Sequence, residues 1–83
     1  MNEILVIMQE ECAEVIQAIS KIHRFGLYDK HEGNTNFYQL IKELGDLQCM
    51  MNLFIEKYDV DTELLKDFEM QKLDKLKSWS NIV

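Results

Sequence analysis

The sequence predicts an all-α protein, and three observations support this. The chain of 83 residues contains no proline and only three glycines. It is rich in Leu, Ile, Met, Lys and Glu, which favour helix over sheet. Apolar residues recur every three or four positions through long runs, which is typical of amphipathic helices. We therefore expect an antiparallel helical bundle. A chain this short buries only about 60% of its unfolded surface, so we expect homo-oligomerisation to complete the core.

Three helices can be placed from the periodicity, all within one domain spanning residues 1–83. The first runs from Asn2 to Phe25 and stops at Gly26, because glycine commonly ends a helix. Residues 26–36 have no periodicity and predict a loop, after which Thr35 or Asn36 can cap a second helix over residues 37–58. A third helix starts from Asp61 or Thr62 and runs to about Trp79.

Composition and charge exclude some functions. A formal net charge of −6 argues against nucleic-acid binding through a broad basic face, which requires Lys and Arg to neutralise phosphates. Residues 1–8 are mostly apolar but carry a glutamate and lack a basic start, so we expect neither a signal peptide nor a membrane span. We expect a cytoplasmic protein in which Cys12 and Cys49 are buried free thiols.

Two acidic pairs stand out on the predicted helices. With about 100° per residue, Glu11 and Glu14 fall in a sector of the first helix that is otherwise apolar. Glu43 and Asp46 repeat this arrangement on the second helix. A carboxylate turned toward a core is costly unless it is paired, protonated or bound to a metal.

Ion pairing is the simpler way to compensate these charges. Only Asp46 has a cation three or four residues away on its own helix, Lys42, although pairs between helices stay open. The alternative is a metal site. Carboxylate oxygens select hard cations, so Mg²⁺, or Mn²⁺ in its place, would suit acids that come from two helices.

The same residues carry a family resemblance. Glu11-x-x-Glu14 followed by Glu43-x-x-Asp46 resembles the E-x-x-E and E-x-x-D motifs of the MazG-like, all-α nucleoside triphosphate pyrophosphohydrolases. The surrounding sequence resembles a compact subgroup with an S-K-x-x-R-F-G signature, here residues 20–26. The match spans roughly residues 9 to 55, and the C-terminal helix matches only loosely.

The resemblance implies a fold, a metal site and a reaction. Mg²⁺ would be held by Glu11, Glu14, Glu43 and Asp46 in a homodimer or dimer of dimers. The reaction would release pyrophosphate from a nucleoside triphosphate, as in control of the nucleotide pool. We expect a metal-activated water to attack the α-phosphorus, oriented or deprotonated by a glutamate, Glu14 by preference or Glu11.

Basic residues near the site would contact the phosphates. Lys21 and Arg24 are the best candidates by position, followed by Lys72 and Lys75. For the latter two, surface lysines matched to the helix dipole are the simpler interpretation. Asn36 could read a base edge or merely cap a helix.

Two other interpretations stay open at this stage. The chain could be a non-enzymatic helical module that oligomerises or binds a partner helix. It could also bind nucleotides without turning them over. A Mg²⁺-dependent change in melting temperature separates the first alternative from the hydrolase, and a turnover assay separates the second.

Overall fold

The computed structural model describes residues 2–83 and consists mainly of three helices. They are α1 (Glu3–Phe25), α2 (Asn36–Lys57) and α3 (Thr62–Trp79), with a two-stranded sheet, β1 (Lys30–His31) and β2 (Asn34–Thr35), between the first two. The prediction of a mainly α-helical fold is confirmed, whereas the small sheet was not predicted. None of the helices within residues 2–83 is both long and apolar enough to cross a membrane.

The helix ends follow from capping chemistry. The side chain of Asn2 accepts a hydrogen bond from Ile4 N, Thr35 accepts one from Tyr38 N, and Asp61 accepts from Glu63 N and Leu64 N. Each cap satisfies amide groups that the first turn of a helix leaves without a partner. Gly26, at φ 94°, ends α1 as predicted, in a backbone region that glycine adopts without strain.

The segment between α1 and α2 is more ordered than the predicted loop. Lys30 pairs with Thr35, and His31 pairs with Asn34, in antiparallel register. Glu32 and Gly33, at the turn, both have positive φ, as a two-residue hairpin turn that matches strand twist requires. Glu-Gly is not among the usual sequence signals for this turn, so the pattern predicted only a loop.

Helices α1 and α2 pack against each other as an antiparallel pair. Lys21 on α1 lies beside Asn36 and Gln39 on α2, whereas Ile4 lies beside Leu53 and Glu56. Along this seam the core is thin, because Ala18 is the one apolar residue within 2–83 that is buried, at 5% exposure.

Helix α3 does not complete a bundle within one chain, and the prediction from the sequence was likewise an incomplete bundle. The turn before it contains Asp59 at φ 47°, and α3 then packs far less closely than α1 and α2 pack together. The chain measures 40 × 38 × 17 Å with a radius of gyration of 15.5 Å, against about 12 Å for a compact domain of this length. The molecule is a flat plate.

The cysteine prediction was half wrong. Cys12 and Cys49 are free, as expected, but both are exposed. The apolar stripe of α1 is wide, and α2 covers only part of it. The buried or half-buried residues of α1 include Ile4, Met8, Glu11, Val15 and Ala18, which share one face. Cys12 lies on the uncovered part, and Cys49 points away from α1.

Candidate metal centre

Three of the four predicted acidic ligands come together. Glu11 on α1 and Glu43 and Asp46 on α2 can each offer one carboxylate oxygen such that all three oxygens lie within 4.8 Å of one another. We call these residues the acidic cluster. They meet because Glu11 lies on the face of α1 that packs on α2, while Glu43 and Asp46 are three residues apart and share one face of α2.

The acidic cluster is partly buried between α1 and α2. Glu43 is 5% exposed, and Glu11 and Asp46 are half-buried. Taking carboxylates out of water costs free energy that must be offset by hydrogen bonds, cations or protonation. Burial and the negative charges of Asp46 and Glu43 accordingly raise the pKa of Glu11 above its ordinary value.

Glu14, the fourth predicted ligand, is not among the three residues that converge. It is exposed and lies about one turn beyond Glu11 on α1. Its charge contributes to the raised pKa of Glu11, so it lies within electrostatic range of the cluster. The structure thus brings together three candidate ligands and leaves the fourth at their edge.

A lysine partly neutralises the cluster. Lys42 Nζ lies 2.9 Å from Asp46 Oδ2 and 3.6 Å from Glu43 Oε1. The hydrogen bond to Asp46, followed by the charges of Asp46 and Glu43, raises the pKa of Lys42. The sequence predicted the Asp46 pair from its four-residue spacing but missed Glu43, because adjacent residues on a helix point about 100° apart and only the long lysine side chain spans that angle.

Gln39 is a site residue that the sequence analysis missed. Its Nε2 donates a hydrogen bond of 2.7 Å to Glu43 Oε1. This bond leaves Glu43 with a fixed carboxylate and no buried unpaired oxygen within residues 2–83. The four-residue spacing of Gln39 and Glu43 on one helix face could have revealed the contact.

A cavity of about 240 Å³ lies between the end of α1, the hairpin and the start of α2. We call it the loop cavity. Two predicted substrate-binding residues, Lys21 and Asn36, border it, and so does Gln39. The Gln39–Glu43 hydrogen bond therefore connects the loop cavity to the acidic cluster.

The other predicted phosphate-binding residues lie elsewhere. Arg24 is exposed and its guanidinium lies 5.2 Å from the ring of Phe25, while Lys72 Nζ lies 5.2 Å from the ring of Trp79 on α3. Lys75 is also exposed on α3. Within residues 2–83, no ion pair links Arg24, Lys72 or Lys75 to the acidic cluster.

The carboxylate set suits a hard divalent cation. Three carboxylates and one ammonium carry a net charge of −2, which one divalent ion would balance, and Mg²⁺ usually takes few protein carboxylates and keeps several waters. No protein-family model, curated protein or solved structure matches this chain.

Proposed function

We propose that this protein hydrolyses nucleoside triphosphates to a monophosphate and pyrophosphate, with Mg²⁺ held by Glu11, Glu43 and Asp46. The observation that carries the proposal is the convergence of three carboxylate oxygens from two helices within 4.8 Å. The E-x-x-E and E-x-x-D spacing resembles that of MazG-like pyrophosphohydrolases, and three of its four acidic residues are the ones that converge.

The charge of the site favours a substrate that arrives with metal. A triphosphate would be repelled by the cluster unless a cation bridges carboxylate and phosphate oxygens. A divalent ion bound here supplies charge neutralisation and a more acidic water. Lys42 already balances one of the three carboxylate charges, and it would move toward solvent or toward a phosphate as the cation arrives.

The chain's own residues have distinct roles in this reaction. Glu11, Glu43 and Asp46 hold the cation, and Gln39 fixes the Glu43 carboxylate. Glu14, exposed one turn from Glu11, accepts the proton of the water that attacks the α-phosphorus. The bond between that phosphorus and the bridging oxygen breaks, and pyrophosphate leaves, its charge balanced in part by Lys42, whose ammonium lies at the cluster.

We propose further that the protein works as a homodimer or dimer of dimers, and the exposed surface supports this. The chain exposes 6843 Å², whereas a folded monomer of 9.9 kDa is expected to expose about 5,200 Å². The excess of about 1,600 Å² per chain is comparable to what each partner buries in an obligate dimer.

Part of the exposed apolar surface forms one side of the helix pair. Leu5, Ile16 and Ile19 on α1, and Ile41 and Leu44 on α2, are all exposed. On α1 these residues are displaced from the packed face by about 95° on average, and on α2 by about 115° in the same rotational sense. Because the helices are antiparallel, the two stripes lie on the same side of the pair, and we call them together the apolar face.

The acidic cluster is displaced toward the other side, since Asp46 lies about 75° from the packed face in the opposite sense. A second copy could therefore cover the apolar face and leave the cluster open to a nucleotide. Assembly and catalysis do not compete for the same surface.

Product analysis tests the function directly. Each deoxynucleoside triphosphate is incubated with the protein and Mg²⁺, and the products are separated by anion-exchange chromatography. The proposal requires monophosphate and pyrophosphate in equal amounts from at least one substrate, and loss of both in Glu43→Gln but not in the solvent-facing control Glu10→Gln. Release of diphosphate and inorganic phosphate would show cleavage at another bond. Full activity of Glu43→Gln would remove Glu43 from the site.

A further inference from the structure

Asn36 has an unusual position at the loop cavity. It is 5% exposed and is the first residue of α2. Its side-chain Nδ2 donates a hydrogen bond of 2.9 Å to the carbonyl oxygen of Gly26. A backbone carbonyl only accepts hydrogen bonds, so this contact fixes which end of the amide is nitrogen and which is oxygen. The amide cannot flip without losing the bond.

The opposite end of the amide, Oδ1, is therefore a fixed acceptor. It has no hydrogen-bond partner among residues 2–83, and it is not sealed away from solvent, because no unpaired side-chain oxygen there is fully buried. Asn36 borders the loop cavity and a smaller adjoining hollow. A molecule bound there could supply the partner for Oδ1.

The start of α2 does not offer a backbone site for phosphate. Asn36 N donates to Asp29 O, Phe37 N donates to Leu27 O, and Tyr38 N donates to Thr35 Oγ1. All three amides that would otherwise face an anion are already paired. The loop cavity is thus lined by the Asn36 acceptor, the Glu32 carboxylate and one lysine, Lys21, a combination suited to an uncharged polar group more than to a phosphate.

A nucleotide with its α-phosphate at the cluster could reach the loop cavity, because one residue links the two. Gln39 borders the cavity and donates a hydrogen bond to Glu43. The cavity is smaller than the about 300–1,000 Å³ that holds a whole drug-sized ligand, so it would hold only one end of the nucleotide.

We propose that the loop cavity binds the nucleoside end of the substrate and that Asn36 Oδ1 accepts a hydrogen bond from it, from a base N–H or from a sugar hydroxyl. This inference rests on the nucleotide hydrolase proposed above and adds a specificity residue to it. Asn36 is pre-oriented by Gly26, so a nucleoside that lacks a donor at this position leaves the acceptor unpaired and binds less well.

The first experiment uses nucleosides alone, so that it does not depend on metal or hydrolysis. ¹⁵N-labelled wild-type protein is titrated with the four 2′-deoxynucleosides without divalent ions, and the Asn36 side-chain amide is followed by NMR. We expect this resonance to shift in a saturable way with at least one nucleoside. 2′,3′-Dideoxynucleosides separate the two donors, because a shift that persists assigns the base and a shift that disappears assigns the 3′-hydroxyl.

The second experiment measures turnover. Asn36→Ala should raise KM for the triphosphate about 3- to 10-fold, the effect of one lost hydrogen bond, whereas Asn52→Ala on the opposite side of α2 should not. If the wild type hydrolyses the triphosphate, but Asn36→Ala has an unchanged KM and no nucleoside shifts the Asn36 resonance, the inference about Asn36 is overturned while the proposed hydrolase activity is retained. If a nucleoside shifts the Asn36 resonance but no triphosphate is hydrolysed, the proposed activity is overturned while the nucleoside site is retained. If Asn36→Ala does not fold, the wild-type titration decides alone.

Discussion

The Lys42 ammonium lies 2.9 Å from Asp46 Oδ2, one helical turn along α2. The same ammonium reaches Glu43 at 3.6 Å, so it occupies part of the space between the carboxylates that a metal ion would take. Lys42 therefore stabilises the cluster when no ion is bound and competes with an ion when one arrives.

Replacing Lys42 with methionine should separate these two effects. We expect Lys42→Met to bind Mn²⁺ several-fold more tightly than the wild type, because the cluster loses a competing charge. It should also melt at a lower temperature without metal, by only a small amount since this pair is exposed to solvent. Isothermal titration calorimetry and thermal unfolding measure the two quantities. Lys57→Met is the matched control, and weaker Mn²⁺ binding in Lys42→Met would contradict the competition.

Glu11 should destabilise the metal-free protein. Burial and the charges of Asp46 and Glu43 raise its pKa, so the folded state holds the proton more tightly than the unfolded state. The Glu11 carboxyl therefore lowers the free energy of unfolding as pH rises. The loss begins near the pKa of the unfolded state, about 4.3, and is complete above the higher pKa of the folded state. We expect Glu11→Gln to melt higher than the wild type at pH 7 in a chelator.

The pH dependence checks the cause. The advantage of Glu11→Gln should shrink as pH falls below the folded pKa of Glu11, and Mg²⁺ should raise the melting temperature of the wild type but not of the variant. Glu10→Gln, on the solvent side of α1, should show neither effect. An advantage for Glu11→Gln that is constant from pH 3 to pH 8 would point to packing instead of charge.

Gln39 should matter for metal binding although it is not a ligand. Gln39→Ala removes the 2.7 Å hydrogen bond that fixes Glu43, and loss of such an orienting partner typically weakens metal binding about 10- to 100-fold. We expect a loss at the lower end for Mn²⁺. Gln48→Ala is the control, since Gln48 donates a comparable bond, 3.0 Å, to Asn52 on the solvent side of α2. Equal Mn²⁺ affinity in the two variants would show that Glu43 does not need Gln39.

The apolar face makes a prediction about assembly. Ile16 lies at the centre of the apolar face and is 68% exposed. Ile16→Asp would therefore place a charge in the proposed interface. Sedimentation velocity should give a dimer or larger species for the wild type and a shift toward monomer for Ile16→Asp. Leu53→Asp introduces the same charge at an exposed leucine outside the apolar face and should leave the assembly intact. A monomeric wild type at micromolar concentration would refute the assembly.

The sequence predicted the helices well because their ends carry local signals. Thr35 and Asp61 cap the N-termini of α2 and α3, because their side chains accept hydrogen bonds from amides of the first turn. Gly26 ends α1 at a position that requires a positive φ. The helical periodicity also predicted that Glu11, Glu43 and Asp46 face the contact between α1 and α2. These features depend on residues within one or two helical turns of each other, so no knowledge of the whole fold was required.

Predictions that depended on contacts between distant residues fared worse. Nothing in the sequence specifies the angle of the turn at Asp59, so it could not predict that α3 would lie away from the helix pair. Cys12 was expected to be a buried thiol, but one partner helix covers only part of the apolar stripe of α1. The contact between Lys42 and Glu43 depends on the rotamer of a long side chain, which spacing does not determine.

Divalent-ion binding to the acidic cluster tests the central claim most directly. Mn²⁺ binding is measured by electron paramagnetic resonance for the wild type, for Glu11→Gln, Glu43→Gln and Asp46→Asn, and for the control Glu10→Gln. We expect one saturable Mn²⁺ per chain in the wild type and the control, with affinity at least about 10-fold weaker in each of the three cluster variants. Identical Mn²⁺ binding in the wild type and all three cluster variants would contradict the account.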